Sequence, residues 1–145
     1  MRVSSRADYG VRALYDLALR HGQGPVQSRD IALRQEVPEA YLHQVLGTLN
    51  RAGLVRSTRG PLGGHVLARN PSDVNLWEIL AVLDGPDRRA HPHLGGEKAG
   101  TTPLDPVHRV WHDLQEQSIH YLTSITLAML VERGQAGEDK GTYTI

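Results

Sequence analysis

The feature that most constrains this chain is a pair of helical patterns separated by only about three residues, Gln35 to Val37. The first begins at Ser28, a favourable N-cap with Asp30 behind it, and the second begins near Pro38, which suits a first helical turn. Their apolar residues are Ile31, Ala32 and Leu33 in the first helix, and Leu42, Val45, Leu46 and Leu49 in the second. So short a connection makes the helices cross steeply, which predicts a helix-turn-helix.

A further helix is predicted before this pair and a β-hairpin after it. Ser5-Arg6-Ala7-Asp8 fits a helix N-terminal capping box, and apolar residues then recur at helical spacing, namely Ala7, Val11, Leu14 and Ala18. Gly53 lies where the helix that begins near Pro38 is expected to end. Two strand-like pieces, residues 54–57 and 65–68, then flank the glycine-rich residues 58–64. Strand, glycine-rich tip and strand together predict a hairpin wing.

The second half of the chain predicts helices around a long connection. Asn75 is suited to cap a fourth helix that carries Leu76, Ile79, Leu80 and Leu83 and ends at Asp84-Gly85-Pro86. The following stretch, rich in Gly, Pro and His, is expected to be a mobile loop as far as Pro106. Pro106 then begins a long helix, Thr126 can cap a short turn through Val131, and the tail from Gly134 to Ile145 is expected to be disordered.

The predicted fold is mainly α: a winged helix-turn-helix with a two-stranded wing and a long C-terminal dimerisation helix. We assign residues 1–83 to the DNA-binding domain and 84–105 to a flexible loop. Residues 106–133 form the dimerisation helix and a short terminal helix, and 134–145 the tail. The long helix carries an apolar row with nothing predicted to cover it, which favours a homodimer; the row consists of Val107, Trp111, Leu114, Tyr121 and Leu122.

Charge is distributed unevenly along a chain whose formal net charge is zero. Residues 1–70 hold 10 Arg and 5 Asp or Glu, a balance of +5, whereas residues 71–145 hold 6 Lys or Arg and 11 acids, a balance of −5. The basic half is therefore the candidate for contact with nucleic-acid phosphates.

Several classes of protein are disfavoured by what the sequence lacks. No apolar run approaches the roughly 20 residues of a membrane span, and the polar start does not resemble a signal peptide, so we expect a cytoplasmic protein without a membrane partner. The sequence contains no cysteine, which excludes disulfides, thiolate zinc sites and ordinary iron–sulfur ligation. It also has no nucleophile elbow or cofactor fingerprint, so an enzyme is not expected.

The helix that begins near Pro38 should expose a polar face opposite its apolar stripe. Gln44 can pair with adenine, His43 can donate to guanine, and Arg51 can bind phosphate. Tyr41 can reach a phosphate or a thymine methyl group. The full predicted face is Ala40, Tyr41, His43, Gln44, Gly47, Thr48 and Arg51, with Ser28 and Arg29 of the preceding helix on the same surface. An ordinary solvated helix face is the alternative.

The wing offers a second candidate DNA contact. Arg56 and Arg59 flank a backbone in which Gly60, Gly63 and Gly64 permit close approach to another molecule. Arg59 could enter the narrow minor groove of A·T-rich DNA, where negative potential is concentrated. The alternatives are a plain hairpin turn and a phosphate-binding nucleotide loop, but the latter is disfavoured because no Gly-Lys-Ser/Thr follows.

Three segments carry a resemblance to a known family: Ser5-Arg6-Ala7-Asp8-Tyr9-Gly10-Val11-Arg12-Ala13-Leu14, Tyr41-Leu42-His43-Gln44-Val45-Leu46, and the stretch from Ala52 to His65. In wording and order they resemble the winged-helix regulator family that includes IscR, NsrR and CymR. The resemblance runs from about Arg2 to Val131. It implies a homodimer that reads a palindromic site with the helix after Pro38 and the wing, and that dimerises through the helix after Pro106.

The sequence departs from this family at its sensory positions. Cluster-binding members have three cysteines before the long helix, where this chain has His91, His93 and Asp105, so a conventional cluster is ruled out. His108 and Asp8 match positions that are ligands in some relatives. His43 stands where several relatives have glutamate, which puts their operator sequence in doubt for this chain.

Histidines could form a metal site by themselves. His108 and His112 are spaced i, i+4, and His91, His93 and Asp105 could complete a zinc or iron site. The alternative is that these are solvated side chains in a chain with 8 histidines.

The sequence thus predicts a transcription regulator, more specifically a repressor, that binds double-stranded DNA as a homodimer without a cofactor. Two alternatives stay open: a winged helix that works mainly through a regulatory protein partner, and a metal-sensing regulator that uses the loop histidines.

Overall fold

The computed structural model describes residues 3–85 and 105–141 of the chain. These residues form a mainly α-helical winged helix, whose elements are α1 (Ser5–Leu19), α2 (Ser28–Gln35), α3 (Glu39–Arg51), β1 (Val55–Thr58), β2 (Gly64–Leu67), a 3-10 turn (Pro71–Asp73), α4 (Leu76–Asp84), α5 (Pro106–Ser124) and α6 (Leu127–Gly141). The predicted helix order, helix-turn-helix and two-stranded wing are therefore confirmed.

The helix caps differ in detail from the sequence prediction. Ser4, not Ser5, is the N-cap of α1, and its side chain accepts a hydrogen bond from the amide of Ala7. Ser28 lies inside α2 because Gln27 is the N-cap. Asn75 caps α4 as predicted, accepting from the amide of Glu78. Such one-residue shifts are common at helix ends because several neighbouring polar residues can satisfy the free amides.

The turn between α2 and α3 closes through backbone hydrogen bonds. Glu36 adopts a left-handed conformation with φ 54°, and the Val37 amide donates to the Ala32 carbonyl over 3.0 Å. Val37 is buried beneath the turn. The turn therefore fixes the steep crossing of the two helices that the short connection predicted.

The core lies where α1 packs against α2, α3, α4 and α6. Its fully buried side chains are apolar residues from every one of these helices, including Leu14, Leu17, Ile31, Leu42, Leu46, Leu49, Ile79 and Leu127. The stripe predicted for α3 is buried in full. Burial of apolar surface by these contacts holds α2 and α3 on one side of α1.

The wing is an antiparallel pair in which Val55 lies opposite Leu67 and Thr58 lies opposite Gly64. Both strands are shifted by one residue from the predicted ranges. The chain just before α2 extends this sheet, because Val26 and His65 exchange two backbone hydrogen bonds of 2.9 and 2.8 Å. The base of the wing is thereby joined to the start of the helix-turn-helix.

The C-terminal helices are fastened to the winged helix at one junction. Leu76 donates to the carbonyl of Ile125, and Leu127 donates to the carbonyl of Val74, over 2.9 and 3.0 Å. These bonds hold the turn between α5 and α6 beside the start of α4. Thr126 accepts from the Met129 amide, as its predicted capping role requires.

The last helix differs from the prediction, which placed its end near Val131 and disorder from Gly134. α6 continues to Gly141 and packs against α1. Gly134, where the predicted tail begins, lies inside α6, and a Cβ at this position would collide with the Tyr15 hydroxyl. The glycine therefore permits close packing of two helices, a role that only the tertiary structure reveals.

Candidate nucleic-acid interface

The predicted recognition face of α3 is only partly open. Ala40, His43, Gln44 and Arg51 are exposed, on the side opposite the buried stripe. His43 Nε2 lies 3.8 Å from Glu39 Oε1, one turn earlier on the same exposed surface. His43, Gln44 and Arg51 provide the polar, accessible surface that a helix in the major groove needs, with the small Ala40 exposed beside them.

Tyr41 is half-buried, and its ring packs edge-on against that of Tyr9. The ring centroids are 5.2 Å apart and the planes lie at 79°. This contact joins α3 to α1 and belongs to the periphery of the core. The predicted contact of Tyr41 with DNA stays a prediction, but the structure gives the ring a packing role.

Thr48 is hydrogen-bonded within the protein. Its Oγ1 accepts from Arg6 Nη2 over 2.7 Å and donates to the Gln44 carbonyl over 3.2 Å. The Arg51 guanidinium lies near Gly47 and donates to the same hydroxyl over 3.4 Å. Thr48 therefore connects α1 to the residues of α3 that were predicted to contact DNA.

The tip of the wing is exposed and carries Arg56 and Arg59. Gly60 has φ 106°, a conformation that favours glycine, and a Cβ there would meet open space. The tip closes by a hydrogen bond of 2.9 Å from the Gly63 amide to the Gly60 carbonyl. Gly60 thus fits the predicted role of a glycine that lets the backbone approach another molecule.

Gly63 and Gly64 serve packing inside the wing. A Cβ on Gly63 would collide with the Thr58 carbonyl, and a Cβ on Gly64 would crowd the backbone of Val26. The Gly63 carbonyl also accepts from Gln27 Nε2 over 2.6 Å. Contact of these two glycines with DNA stays a prediction, whereas the fold of the wing requires residues without a Cβ at both positions.

The wing packs against α3 through its first strand, β1, which pairs with β2. His65 is half-buried, and its Nδ1 lies 2.7 Å from Ser57 Oγ on the neighbouring strand. Burial lowers the pKa of His65, and the positive charge of His43 lowers it further. Through the contact of α3 with β1, the helix and the wing contribute to one surface.

A buried carboxylate, Asp16, holds α2 against α1. Asp16 is fully buried and accepts from Arg34 Nε and Nη2 over 3.0 and 2.9 Å. Arg20 and Gln35 donate to the same carboxylate. On α2, Ser28 is half-buried and Arg29 is exposed, so only Arg29 is freely available to a phosphate.

The arginines of the basic half divide into two groups. Arg12, Arg20, Arg34 and Arg69 form ion pairs, Arg6 donates to Thr48 and Leu83, and Arg51 donates one hydrogen bond of 3.4 Å to Thr48. Within the described part of the chain, no intramolecular ion pair is seen for the exposed Arg29, Arg51, Arg56 and Arg59. These four cations lie on the helix-turn-helix and the wing.

The apolar row on α5 is exposed. Val107 is 58% exposed, Trp111 41%, Leu114 45% and Tyr121 57%, while Leu122 is half-buried. Val110, which the sequence prediction omitted, is 58% exposed and lies on the same side at helical spacing. α5 therefore presents an apolar face without cover from the described residues of its own chain.

The described part of the structure does not bring the candidate metal ligands together. Asp105 caps α5 by accepting from the Val107 amide, and His112 lies 3.9 Å from Glu116. Asp8 is paired with Arg12. Residues 3–85 and 105–141 contain no group of three possible ligands. His91 and His93 lie outside the described residues.

Comparison with known proteins identifies the fold and the class of function. Residues 3–133 match the sequence profile of the Rrf2 family, described as an iron-dependent transcriptional regulator. The chain belongs to the Rrf2 family. The resemblance that its motifs carried is thereby confirmed.

Among its sequence relatives, this chain matches proteins named HTH-type transcriptional regulator IscR. The protein from Klebsiella pneumoniae (strain 342) is 37% identical over 132 residues, which cover 90% of this chain and 80% of the relative. The protein from Escherichia coli O1:K1 / APEC is 34% identical over 142 residues, or 97% of this chain and 86% of the relative.

Solved structures show the same Rrf2-family architecture. CymR, described as the global cysteine regulator of B. subtilis, matches with a TM-score of 0.81 at 30% identity, over 92% of this chain and 98% of CymR. T. potens IscR matches with a TM-score of 0.75 at 36% identity, over 92% of this chain and 88% of the IscR chain. The chain is therefore a DNA-binding transcription regulator, since its relatives are named as regulators and not as enzymes.

Sequence reasoning missed the residues that support this interface from behind. These residues are Arg6, Asp16 and Gln27, and each joins two elements of the winged helix by hydrogen bonds to residues distant in sequence. The sequence pattern could have indicated that Asp16 is buried, because this charged residue lies on the side of α1 that bears Ala13 and Leu17. No sequence pattern indicates the roles of Arg6 and Gln27, because their hydrogen-bond partners are far away in the chain.

None of the helices in residues 3–85 and 105–141 is long and apolar enough to cross a bilayer.

Proposed function

We propose that the protein is a homodimeric repressor that binds a palindromic operator through α3 and the wing. The observation that carries this proposal is the packing of α3 against the first strand of the wing, with Gln44 and Arg51 exposed on the helix and Arg56 and Arg59 exposed on the hairpin. A helix of this kind reads base edges in the major groove, while Arg59 enters the adjacent minor groove. A regulator that occupies such a site blocks other proteins from the same DNA.

The exposed apolar face of α5 supports the homodimer. Val107, Val110, Trp111 and Leu114 lie along one side of a helix of 19 residues. A surface of this kind is stable in water only when another surface covers it, and a second copy offers an identical apolar face. Two copies related by a two-fold axis present two α3 helices, which matches a palindromic site.

The four exposed arginines support direct DNA binding over action through a protein partner. A surface that recognises a protein is expected to carry a cluster of exposed aromatic or aliphatic anchors. This one carries four arginines and polar side chains, and its exposed large aliphatic residues are Leu33 on α2 and Leu62 at the wing tip. The partner-dependent alternative predicts that the purified chain alone selects no DNA sequence. We place the protein in the cytoplasm, where its operator is.

We further propose that the protein works without an iron–sulfur cluster. The sequence contains no cysteine, and thiolates are the ligands that such clusters require most. Visible absorbance with stoichiometric iron and sulfide after anaerobic purification would contradict this proposal.

The decisive experiment is selection of bound DNA from a random pool, followed by titration of Gln44→Ala and Arg59→Ala across a salt series. Gln44→Ala should lose about 1–3 kcal/mol on the selected operator and little on scrambled DNA, because Gln44 reads a base edge. Arg59→Ala should weaken binding to both DNAs and reduce the salt slope by about one unit, because Arg59 responds to phosphate potential.

Matched controls are Gln135→Ala and Arg133→Ala, which remove exposed side chains of the same types on α6, away from the wing. Both controls are expected to bind operator like the parent protein. Operator binding by Gln44→Ala equal to that of the parent would show that α3 does not read DNA through this residue.

A further inference from the structure

Arg6 stands at a junction of three helices in the winged helix. Its Nε donates to the Leu83 carbonyl over 3.0 Å, and its Nη2 donates to Thr48 Oγ1 over 2.7 Å. One guanidinium of α1 thus binds the last turn of α4 and the last turn of α3 at the same time. Both bonds are partly buried, where water competes poorly for them.

The α4 end of this junction is held firmly. Leu83 is buried against Gly10, where any Cβ would collide with the leucine side chain. Ser4 Oγ also contacts both carboxylate oxygens of Asp84, at 2.7 and 2.9 Å. Because the Leu83 carbonyl lies in the last turn of α4, it lacks a helical partner, and a cation is favourable there.

The α3 end of the junction leads to the candidate DNA contacts. Thr48 donates to the Gln44 carbonyl one turn before it and accepts from Arg51 Nη2 almost one turn after it, over 3.2 and 3.4 Å. Through one hydroxyl, Arg6 is therefore connected to the backbone of Gln44 and to the side chain of Arg51. A small displacement of a recognition helix moves each of its side chains relative to the base edges.

We propose that Arg6 is a positioning residue for DNA recognition, which fixes α3 relative to the end of α4 through Thr48 without contacting DNA itself. The inference rests on the proposed function of α3. Arginine suits this role because its planar fork presents Nε and Nη2 in fixed directions, whereas lysine has one compact donor group.

Arg6→Lys separates this role from a phosphate contact. Lysine keeps the charge, so a residue that only neutralised a phosphate would tolerate the change, but lysine cannot span Leu83 and Thr48 with a rigid fork. Arg6→Lys is expected to weaken operator binding by about tenfold, the size of one hydrogen bond from a charged donor, with an unchanged salt slope. Operator affinity of Arg6→Lys equal to that of the parent would overturn the inference.

Thr48→Val tests the other partner with almost the same side-chain shape. It is expected to weaken operator binding about as much as Arg6→Lys, and the double variant should be no weaker than the weaker single variant, because both changes break one connection. Thr48→Ser, which retains the hydroxyl, should recover most of the affinity lost in Thr48→Val. Additive losses in the double variant would instead indicate that Thr48 contacts DNA independently, and would overturn the inference.

Arg12→Lys is the matched control, since Arg12 lies on the same helix and pairs with Asp8 on the surface. Its operator affinity should equal that of the parent protein. Urea unfolding of every variant establishes that each is fully folded under the binding conditions.

A measurement without DNA separates failure of this inference from failure of the proposed function. Amide hydrogen exchange in residues 44–51 of the free protein should be faster in Arg6→Lys and Thr48→Val than in the parent and in Arg12→Lys. Unchanged exchange would show that Arg6 does not hold α3. A parent protein that selects no DNA sequence would overturn the proposed function and, with it, the effect of Arg6 on affinity.

Discussion

Asp16 shows how one buried charge can organise a helix-turn-helix. Its carboxylate is fully buried on α1 and receives hydrogen bonds from Arg20, Arg34 and Gln35. The pairing with Asp16 also raises the pKa of Arg34. A buried charge is tolerated only when such partners replace the water it has lost, so the position of α2 depends on this cluster.

Asp16→Asn should lower the free energy of unfolding by about 1.5–3 kcal/mol, because hydrogen bonds to a charged acceptor are replaced by weaker ones and Arg34 loses its counter-charge. Urea unfolding monitored by circular dichroism measures the change. Asp8→Asn is the control, since the exposed pair of Asp8 with Arg12 is solvated on both sides. Equal effects of the two substitutions would contradict a special role of the buried carboxylate.

His65 makes the wing sensitive to pH. Burial and the charge of His43 lower its pKa in the folded protein, so the unfolded chain binds a proton at His65 more readily than the folded chain does. This histidine therefore favours folding fully above about pH 6.5, the ordinary histidine value, and its contribution is lost as the pH falls toward the lowered pKa.

His65→Gln should accordingly flatten the loss of stability on acidification below about pH 6.5. The measurement is the free energy of unfolding of parent and variant between pH 5 and pH 8. His21→Gln, a change at an exposed histidine, serves as the control. The prediction is wrong if parent and His65→Gln lose stability in parallel over this range.

At the scale of elements, the wing is held by its backbone. The Gly63 carbonyl binds Gln27, and Val26 pairs with His65, so the hairpin is joined to the segment that leads into α2. A rigid hairpin loses less conformational entropy when it binds DNA than a free loop does. We therefore expect the glycines of the wing to favour DNA binding in two ways: they permit the packing that holds the hairpin, and they let its backbone approach DNA closely.

Gly63→Ala should displace the wing, because the added Cβ would collide with the Thr58 carbonyl. We expect a loss of about 1–3 kcal/mol in stability, typical of overpacking, and weaker operator binding. Gly137→Ala on α6, where a Cβ meets open space, is the matched control and should be neutral or slightly stabilising. Thermal unfolding and operator titration of both variants decide the matter; an unperturbed Gly63→Ala would refute the packing role.

At the scale of the whole molecule, α5 and α6 are attached to the DNA-binding unit by the junction of residues 74–76 with 125–127. α5 also packs on α4, whose last turn binds Arg6. A dimer formed through α5 would therefore set the spacing of two α3 helices through packed elements.

Leu114→Glu should convert the proposed dimer to a monomer, because a charged side chain at this 45% exposed position cannot be buried against an apolar partner face. Operator affinity should fall with it, since a monomer contacts one half-site. Sedimentation velocity measures the mass, and Glu132→Gln on α6 is the control. A monomeric parent protein would disprove the dimer.

The order of elements and the buried stripes were predictable because they rest on local patterns. The spacing of Leu42, Val45, Leu46 and Leu49, the proline at the start of α5 and the glycine-rich hairpin tip each act on a few neighbouring residues. Helix period, caps and turn chemistry are properties of short segments, so the sequence reveals them directly.

The tertiary structure alone decided which polar residues of the candidate site are free. Thr48 and Tyr41 share a helix face with Gln44, but Arg6 and Tyr9 engage them from another helix. Gly63, Gly64 and Gly134 resemble any turn or breaker glycine until the atoms beside them are known. Most of these partners lie far away along the chain, and even the nearby Thr58 meets Gly63 only when the hairpin has formed. No local pattern encodes a contact that folding alone creates.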